Sequence, residues 1–377
     1  MKVALVAHHA RATGGQDRYL LELARHLAPR HEVHVVAVRA EGLDGTNVTV
    51  HELGLTDRPV LALEPRFARR AAAVIQGKNF DIVHGVGGSL PGANVITAQY
   101  VHAAWHEARH RYHVKEDSLL DGWYHALVRA QAVAYDRRAY GHPALKAVIA
   151  VSRTTAGELT RHYGVAADRI TVVHNGADPT LFDPDRYPWA RAELRKELRL
   201  APDALVALLV GTYARKGLET AIRAVANASP ALHLVVAGSG DAAQAKGWAR
   251  AANLGDRLHL LGPRTDVGRL YAASDIFVLP TRYEPFGMVI AEAMAAKLPV
   301  VVSGASGAAE LITPGVSGCV IERADDVSGF AAQIKALVLD PAKRAAIGRA
   351  ARQAATAVSW PSVADQTEAV YRAALRR

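Results

Sequence analysis

The chain has a single cysteine, Cys319, so no disulfide can form within it. That scarcity fits a reducing compartment and excludes the small disulfide-stapled secreted class. Cys319 itself reads as a small buried residue in the strand Gly318-Cys-Val-Ile321. No apolar run approaches the ~20 residues that a membrane-spanning helix needs. The opening Met1-Lys-Val-Ala-Leu-Val-Ala7 reads as a buried strand and not as a secretory leader. Aromatic residues are few (6%), and no Lys/Arg block interleaved with aromatics marks a nucleic-acid module. There is no low-complexity segment and no short-period repeat, which excludes solenoids. His102, His106, His110 and His113 recur at helical spacing. Without a carboxylate or cysteine at ligand spacing they read as a polar face, and no metal is expected. Asp183-Pro-Asp185 falls in a proline-rich linker and reads as a turn, not as a cation site.

What is present points to two domains. At 377 residues the chain is too long for one ordinary core. Half the residues are hydrophobic and 21% are charged, a globular profile. Lys plus Arg (45) exceeds Asp plus Glu (36), and the +9 excess attracts polyanions such as phosphorylated substrates or anionic lipid. Both halves alternate short apolar runs with amphipathic helical segments, the pattern of parallel α/β sheets. Strands are expected at 2–7, 31–38, 47–53, 81–84, 94–98, 146–152 and 169–178. A second set is expected at 204–210, 232–237, 257–264, 275–279 and 299–303. Helices are expected through Leu27, over Pro65–Ile75, Leu119–Tyr140, Thr154–Tyr163 (Ser152 as N-cap) and Leu218–Ala226, and after Asp325.

The most informative stretch is Pro280 to Ala293. The strand Asp275-Ile-Phe-Val-Leu279 leads through a turn holding Pro285 and Gly287 into the helix that begins at Met288. Ligands of open α/β sheets bind at such strand ends, beside helix N-termini. Phe286, Gly287 and Met288 would turn backbone N–H groups toward an anion. Glu284 and Glu292, before and inside the helix, would accept hydrogen bonds from hydroxyls, so a phosphate flanked by polyols suits the place. A second phosphate site is suggested by Gly211-Thr-Tyr-Ala-Arg215-Lys216-Gly217, where cations crowd a helix start that disfavours them without an anion. Near the N-terminus, Gly14-Gly15 links strand to helix and suits phosphate or sugar.

Glu284, seven residues, then Glu292, with Pro-Phe-Gly between, resembles the signature of the family-4 retaining glycosyltransferases. The likeness continues through Asn175-Gly-Ala-Asp178, the strand and glycine turn Leu232–Gly240, and Arg257–Arg264. The family commonly has arginine after the first glycine of the cationic turn. This chain has Thr212 there and Arg215-Lys216 later, as in bacterial lipopolysaccharide-core glucosyltransferases, and the segment His102–His142 resembles their acceptor-side insert. The resemblance implies two Rossmann-like domains facing across a cleft, the GT-B arrangement. The first domain would span 1–182 and bind acceptor, and the second would span 188–358 and bind the nucleotide-sugar. A C-terminal helix (360–377) would cross back to the first. It also implies that Glu284 binds the donor sugar and Glu292 the ribose. Arg215, Lys216, Phe286, Gly287, Met288, Gly14 and Gly15 would surround the phosphates, and Arg264 would lie near the base. Glu310 fits a further position near the site, or caps a short helix. His102 would meet the reaction centre, with His84 its rival.

The implied reaction moves a hexose from a nucleotide-diphosphate sugar, with UDP the expected nucleotide, to a glycan, glycolipid or lipopolysaccharide-type acceptor with retention. His102, Lys216 and Glu284 are the candidate catalytic residues. No metal and no cofactor are expected, because Arg215 and Lys216 supply the charge a leaving diphosphate needs. Alternatives are a nucleotide-sugar 2-epimerase or a glycosyl phosphorylase of the same fold, or a non-catalytic nucleotide-sugar or glycan-binding module. The expected location is cytoplasmic. Arg66, Arg69 and Arg70 share one helix face and are a candidate contact for anionic lipid on the inner membrane surface.

Overall fold

The computed structural model describes residues 1–12, 14–114 and 119–377. The chain forms two compact units, Met1–Gly176 with Trp360–Arg377, and Ala177–Ser359.

In the first unit the strands are β1 (Lys2–Val6), β2 (His9–Ala10), β3 (Glu32–Ala37), β4 (Arg39–Ala40), β5 (Val48–Glu52), β6 (Ile82–Val86), β7 (Val95–Ala98), β8 (Ala147–Ala150) and β9 (Ile170–Val172). Seven of them make a parallel sheet in the order β5-β3-β1-β6-β7-β8-β9, with β2 and β4 paired separately. The central strands are buried on both faces, which is why they read as nearly continuous apolar runs. The helices are α1 (Gly15–Leu27), α2 (Val60–Ile75), α3 (His102–Arg111), α4 (Leu119–Tyr140) and α5 (Arg153–Tyr163). Ser152 caps α5 by accepting from the Thr155 N–H.

Helix α2 departs from expectation. It begins at Val60, five residues before Pro65, so the proline lies inside it. Proline has no N–H for the carbonyl four residues back, here that of Leu61. The Gln131 side-chain amide of α4 donates to that carbonyl at 2.8 Å, which makes the interior proline tolerable. The same helix gives Arg70 a structural use, since its guanidinium donates to the carbonyls of Leu53 and Gly54.

The C-terminal helix Trp360–Ala374 belongs to the first unit and packs on α1 and β8. Its Tyr371 hydroxyl meets His84 Nδ1 at 2.6 Å, while His84 Nε2 lies 2.7 Å from Thr97 Oγ1 and Tyr19 meets the same hydroxyl at 3.1 Å. His84 is fully buried, and burial pushes its imidazole down to about 3, so it is a neutral core residue with no surface for a ligand. That removes it as the rival of His102.

The second unit begins with α6 (Ala190–Glu197) and contains β10 (Leu205–Val210), α7 (Leu218–Ala228), β11 (Leu232–Ala237), α8 (Ala242–Ala251), β12 (Leu258–Gly262), α9 (Val267–Ala273), β13 (Ile276–Leu279), α10 (Met288–Ala295), β14 (Val300–Ser303), β15 (Cys319–Ile321), α11 (Val327–Leu339) and α12 (Pro341–Thr356). Its parallel sheet runs β12-β11-β10-β13-β14-β15. Arg195 of α6 is buried, where it donates to the carbonyls of Ala273 and Ala204 and to Asp275.

The first unit ends earlier than the expected residue 182. Phe182 packs edge-on against Tyr271 with ring centroids 5.6 Å apart, and the Ala177 N–H donates to Val358, so 177–182 belong to the second unit. Asp183 caps the turn Pro184–Arg186 and accepts from Arg352 at 2.7 Å. Among the described residues, no helix is long and apolar enough to cross a membrane.

Replacing Tyr371 by Phe leaves a buried His84 nitrogen without its partner and is expected to cost about 1–3 kcal/mol in urea unfolding. The neutral His84 also fixes a pH dependence. The unfolded imidazole binds its proton below about 6.5, whereas the folded one resists it down to about 3. Its contribution to stability is therefore complete above the higher value and is lost as the pH falls between the two. A His84→Leu variant should show a weaker loss over that range.

Candidate active site

Each sheet has one place where the strand order reverses, between β1 and β6 in the first unit and between β10 and β13 in the second. Connections leave those neighbouring strands in opposite directions, so a crevice opens at their carboxyl ends.

In the second unit three loops meet there, those that follow β10, β13 and β14. The Arg282 N–H and the Thr281 hydroxyl both donate to the Arg215 carbonyl, at 2.9 and 3.3 Å, which stitches the first loop to the second. The second is tied to the third by Glu284 N–H to Ala305 (3.0 Å), Ala308 N–H to Phe286 (2.7 Å) and the Ser306 hydroxyl to Phe286 (2.8 Å). Gly217 opens α7 at φ +72°, and a Cβ on it would stand 2.0 Å from the Pro280 carbonyl oxygen. Only glycine lets the two loops come this close. Gly287 opens α10 at φ +98°, with no side chain capping the helix.

This stitching brings Arg215, Lys216 and Glu284 together. Lys216 is 5% exposed and its ammonium pairs with Glu284 Oε2, the same oxygen that Arg215 reaches at 3.0 Å. Burial pushes the Lys216 ammonium down, opposed by Glu284 and, more weakly, by Glu292. Burial pushes the Glu284 carboxyl up, but the two cations outweigh it and hold the group below the usual carboxylate range. Glu292, buried on α10, accepts from the Tyr271 hydroxyl at 2.9 Å. Phe286 and Met288 are buried at the same helix start. Two cations, two carboxylates and a helix N-terminus thus converge at one strand reversal. The arrangement suits an anion flanked by hydroxyl-bearing groups, with two cations already fixed beside a helix N-terminus.

Two further expected residues lie on neighbouring segments, Arg264 after β12 and Glu310 in the turn that is bonded to Glu284 and Phe286. Arg264 is held in a fork by Asp266, both contacts 2.7 Å, and also reaches Glu197 at 3.3 Å, so its charge is already matched by carboxylates. Glu310 lies in the helical turn Gly307–Leu311.

In the first unit, Gly14 precedes α1 at φ +89° and Gly15 is the first residue of the helix. Gln16 donates to the Val86 carbonyl at the end of β6, 2.9 Å away. His102 is the first residue of α3, with Nδ1 2.9 Å from the Asp136 carboxylate. His8 and Glu64 are paired at 3.3 Å. Burial works against the charged form of His102, but Asp136 and Glu64 outweigh it and raise the imidazole above its ordinary value. His106 and His110 meet at 3.3 Å on the exposed face of α3. Sequence reasoning missed Tyr271, Asp136, Glu64 and Tyr163. Each lies on an ordinary helix far along the chain from its partner, and no local motif marks it.

Known proteins with similar sequences and folds match along the whole chain. A family model described as Glycosyltransferase Family 4 matches residues 13–181, and one described as Glycosyl transferases group 1 matches residues 190–354. A protein of Geodermatophilus obscurus named D-inositol 3-phosphate glycosyltransferase is 31% identical, over 96% of this chain and 85% of its own. The solved structure of WaaG, a glycosyltransferase involved in lipopolysaccharide biosynthesis, superposes with a TM-score of 0.78 at 21% identity, over 97% of this chain and 98% of that one. Anabaena HepE in complex with UDP-glucose does so with a TM-score of 0.71 at 23% identity, over 98% of each chain.

Removing the carboxylate from the cluster leaves a buried ammonium without its counter-charge, so Glu284→Ala is expected to destabilise the protein by about 3 kcal/mol. The pair also has a pH signature. Because the Glu284 carboxyl is lower in the folded protein than in the unfolded chain, its stabilisation is present above about pH 4.5 and is lost as the pH falls through the lower folded value. Urea unfolding of both proteins between pH 3 and 7 checks both statements. A loss below about 1 kcal/mol would mean that water screens the pair as at an open surface.

Proposed function

The chain belongs to the family-4 glycosyltransferases, and we propose that it moves a hexose from a UDP-sugar to an acceptor hydroxyl with retention at the anomeric carbon. The observation that carries this reading is the convergence of Arg215 and Lys216 on the Glu284 carboxylate beside the α10 N-terminus. The leaving group of such a transfer is a diphosphate, and its growing negative charge is the main thing to stabilise. The Arg215 guanidinium binds phosphate oxygens through a fork, and the Lys216 ammonium adds a compact charge that has no shell of water to shed. The α10 N-terminus supplies a third source of positive potential. In this reading Glu284 holds the cations in place before the donor arrives and then accepts from hydroxyls of the donor sugar. Glu292 takes the ribose, and His102 meets substrate hydroxyls. No metal and no cofactor takes part, since the two cations fill that role.

No side chain is assigned as a nucleophile. The departing phosphate oxygen accepts the proton of the acceptor hydroxyl as the new glycosidic bond forms on the same face. The bond from the anomeric carbon to the phosphate oxygen breaks in that step, and the diphosphate leaves with the proton. The acceptor is a glycan or glycolipid. The name carried by the Geodermatophilus relative adds a phosphorylated cyclitol to the acceptors worth testing. Arg66 and Arg69 are exposed on α2 beside a cavity of about 200 Å³ lined by Leu55 and Thr56, and they support contact with anionic headgroups where the acceptor is a lipid.

Proton NMR of the product formed from UDP-glucose reads the stereochemistry directly, and an α-linked product is the expected outcome. Lys216→Ala should reduce kcat by about 100-fold or more, the usual cost of removing a donor to developing charge. Turnover should survive a chelator. Near-normal turnover of Lys216→Ala would overturn the electrostatic role, a β-linked product would overturn retention, and epimerised donor formed without acceptor would favour the epimerase.

A further inference from the structure

The first unit contains a buried carboxylate that the proposed reaction does not use. Asp136 of α4 has a side chain 1% exposed, yet its Oδ2 accepts from three groups. The Tyr163 hydroxyl of α5 donates at 2.6 Å, His102 Nδ1 at 2.9 Å and the His102 backbone N–H at 3.2 Å. The loop after β6 closes the other side. A Cβ on Gly88 would stand 2.3 Å from Asp136 Oδ1 and 3.1 Å from its Cα, so glycine is what allows the loop to lie against the carboxylate. Tyr163 is held in turn by stacking on Tyr140, with ring centroids 5.2 Å apart. Two other helices therefore hold one oxygen of Asp136, and the loop after β6 closes on the other. The side chain of His102 is 38% exposed, and Nε2 is the ring nitrogen that Asp136 does not take.

We propose that Asp136 is the positioning residue of His102: with Tyr163 anchoring the carboxylate, it holds the proton on Nδ1, fixes the ring plane and presents Nε2 to the substrate. This rests on the reading that His102 meets substrate. A carboxylate opposite Nδ1 selects one tautomer and stabilises the imidazolium. Nε2 then carries a proton and donates to a substrate oxygen. That is the role of a donor and differs from the role of a base. The charged groups facing the ring are Asp136 from α4 and Glu64 from α2, the latter paired with His8. Tyr163 of α5 faces the same carboxylate, and the Tyr100 ring lies 5.1 Å from the imidazole. The two carboxylates favour the charged ring, so the function should fade as the pH rises through the raised His102 value. A purely structural Asp136 would cap α3 through the His102 N–H and do nothing more.

The test compares His102→Ala, Asp136→Asn, Tyr163→Phe and the double variant His102→Ala/Asp136→Asn by kcat, KM and the pH profile of kcat, with thermal unfolding as the check on folding. Asp136→Asn is expected to lower kcat by about tenfold or more, the scale of a lost charge-assisted contact. KM should change little, and the alkaline limb should move to lower pH. Tyr163→Phe should move both in the same direction by less, and the double variant should be no slower than His102→Ala alone. Normal turnover of His102→Ala would overturn the underlying reading that His102 meets substrate. A slow His102→Ala beside a folded Asp136→Asn of unchanged kcat and pH profile would overturn the positioning role. Nitrogen-15 NMR of the unaltered protein decides the point should Asp136→Asn fail to fold. A proton resident on Nδ1 and titration above the ordinary histidine value support the proposal, and titration at or below it overturns the proposal.

Discussion

The second unit is arranged around one buried carboxylate shared by two cations. An ammonium 5% exposed cannot stand alone in an apolar interior, and Glu284 gives Lys216 the counter-charge that makes its burial tolerable. Everything near it follows from bringing those groups into reach. Gly217 lets the β10 loop lie on the Pro280 carbonyl, and Arg282 and Thr281 lock the Arg215 carbonyl from the facing loop. The β14 loop braces the Glu284 backbone through Ala305 and Gly307. The same contacts that satisfy backbone groups therefore set the charge geometry and hold the two cations in place.

The first unit meets the same demand in the opposite sense, with a buried anion served by three donors. Asp136 is satisfied by Tyr163 and His102 as Lys216 is satisfied by Glu284. The second unit places its cluster by its strand reversal, where loops from adjacent strands diverge and leave room, and the first sets Asp136 against the loop that follows β6. Polar groups elsewhere in the cores are closed off. His84 lies between Thr97 and Tyr371, and the terminal nitrogens of buried Arg195 donate to Ala273, Ala204 and Asp275.

Much of the fold was legible because central parallel strands are buried on both faces and leave apolar runs that are hard to mistake. The two sheets, the strand-turn-helix at Pro280–Ala293 and the return of the C-terminal helix to the first unit all agree with that reading. Boundaries were less legible. Pro65 marks a helix start in sequence, yet α2 begins at Val60 because Gln131, from a helix much later in the chain, serves the carbonyl that proline abandons. The linker 177–182 looks like the tail of the first domain until Phe182 is seen on Tyr271.

The sequence by itself determined the two-sheet α/β class, the family resemblance and the identity of the charged residues at the cationic turn and the Pro-Phe-Gly stretch. Those are local matters, since strand burial, glycine turns and helix starts are written in neighbouring residues. Only the tertiary structure decided which charges meet. It put Arg215 and Lys216 on the same oxygen of Glu284, gave Glu292 to Tyr271, tied Arg264 to Asp266 and Glu197, and set Asp136 behind His102. An ion pair or a buried hydrogen bond depends on a few ångströms between side chains that lie dozens of residues apart, and that distance exists only once the sheets and their loops have packed.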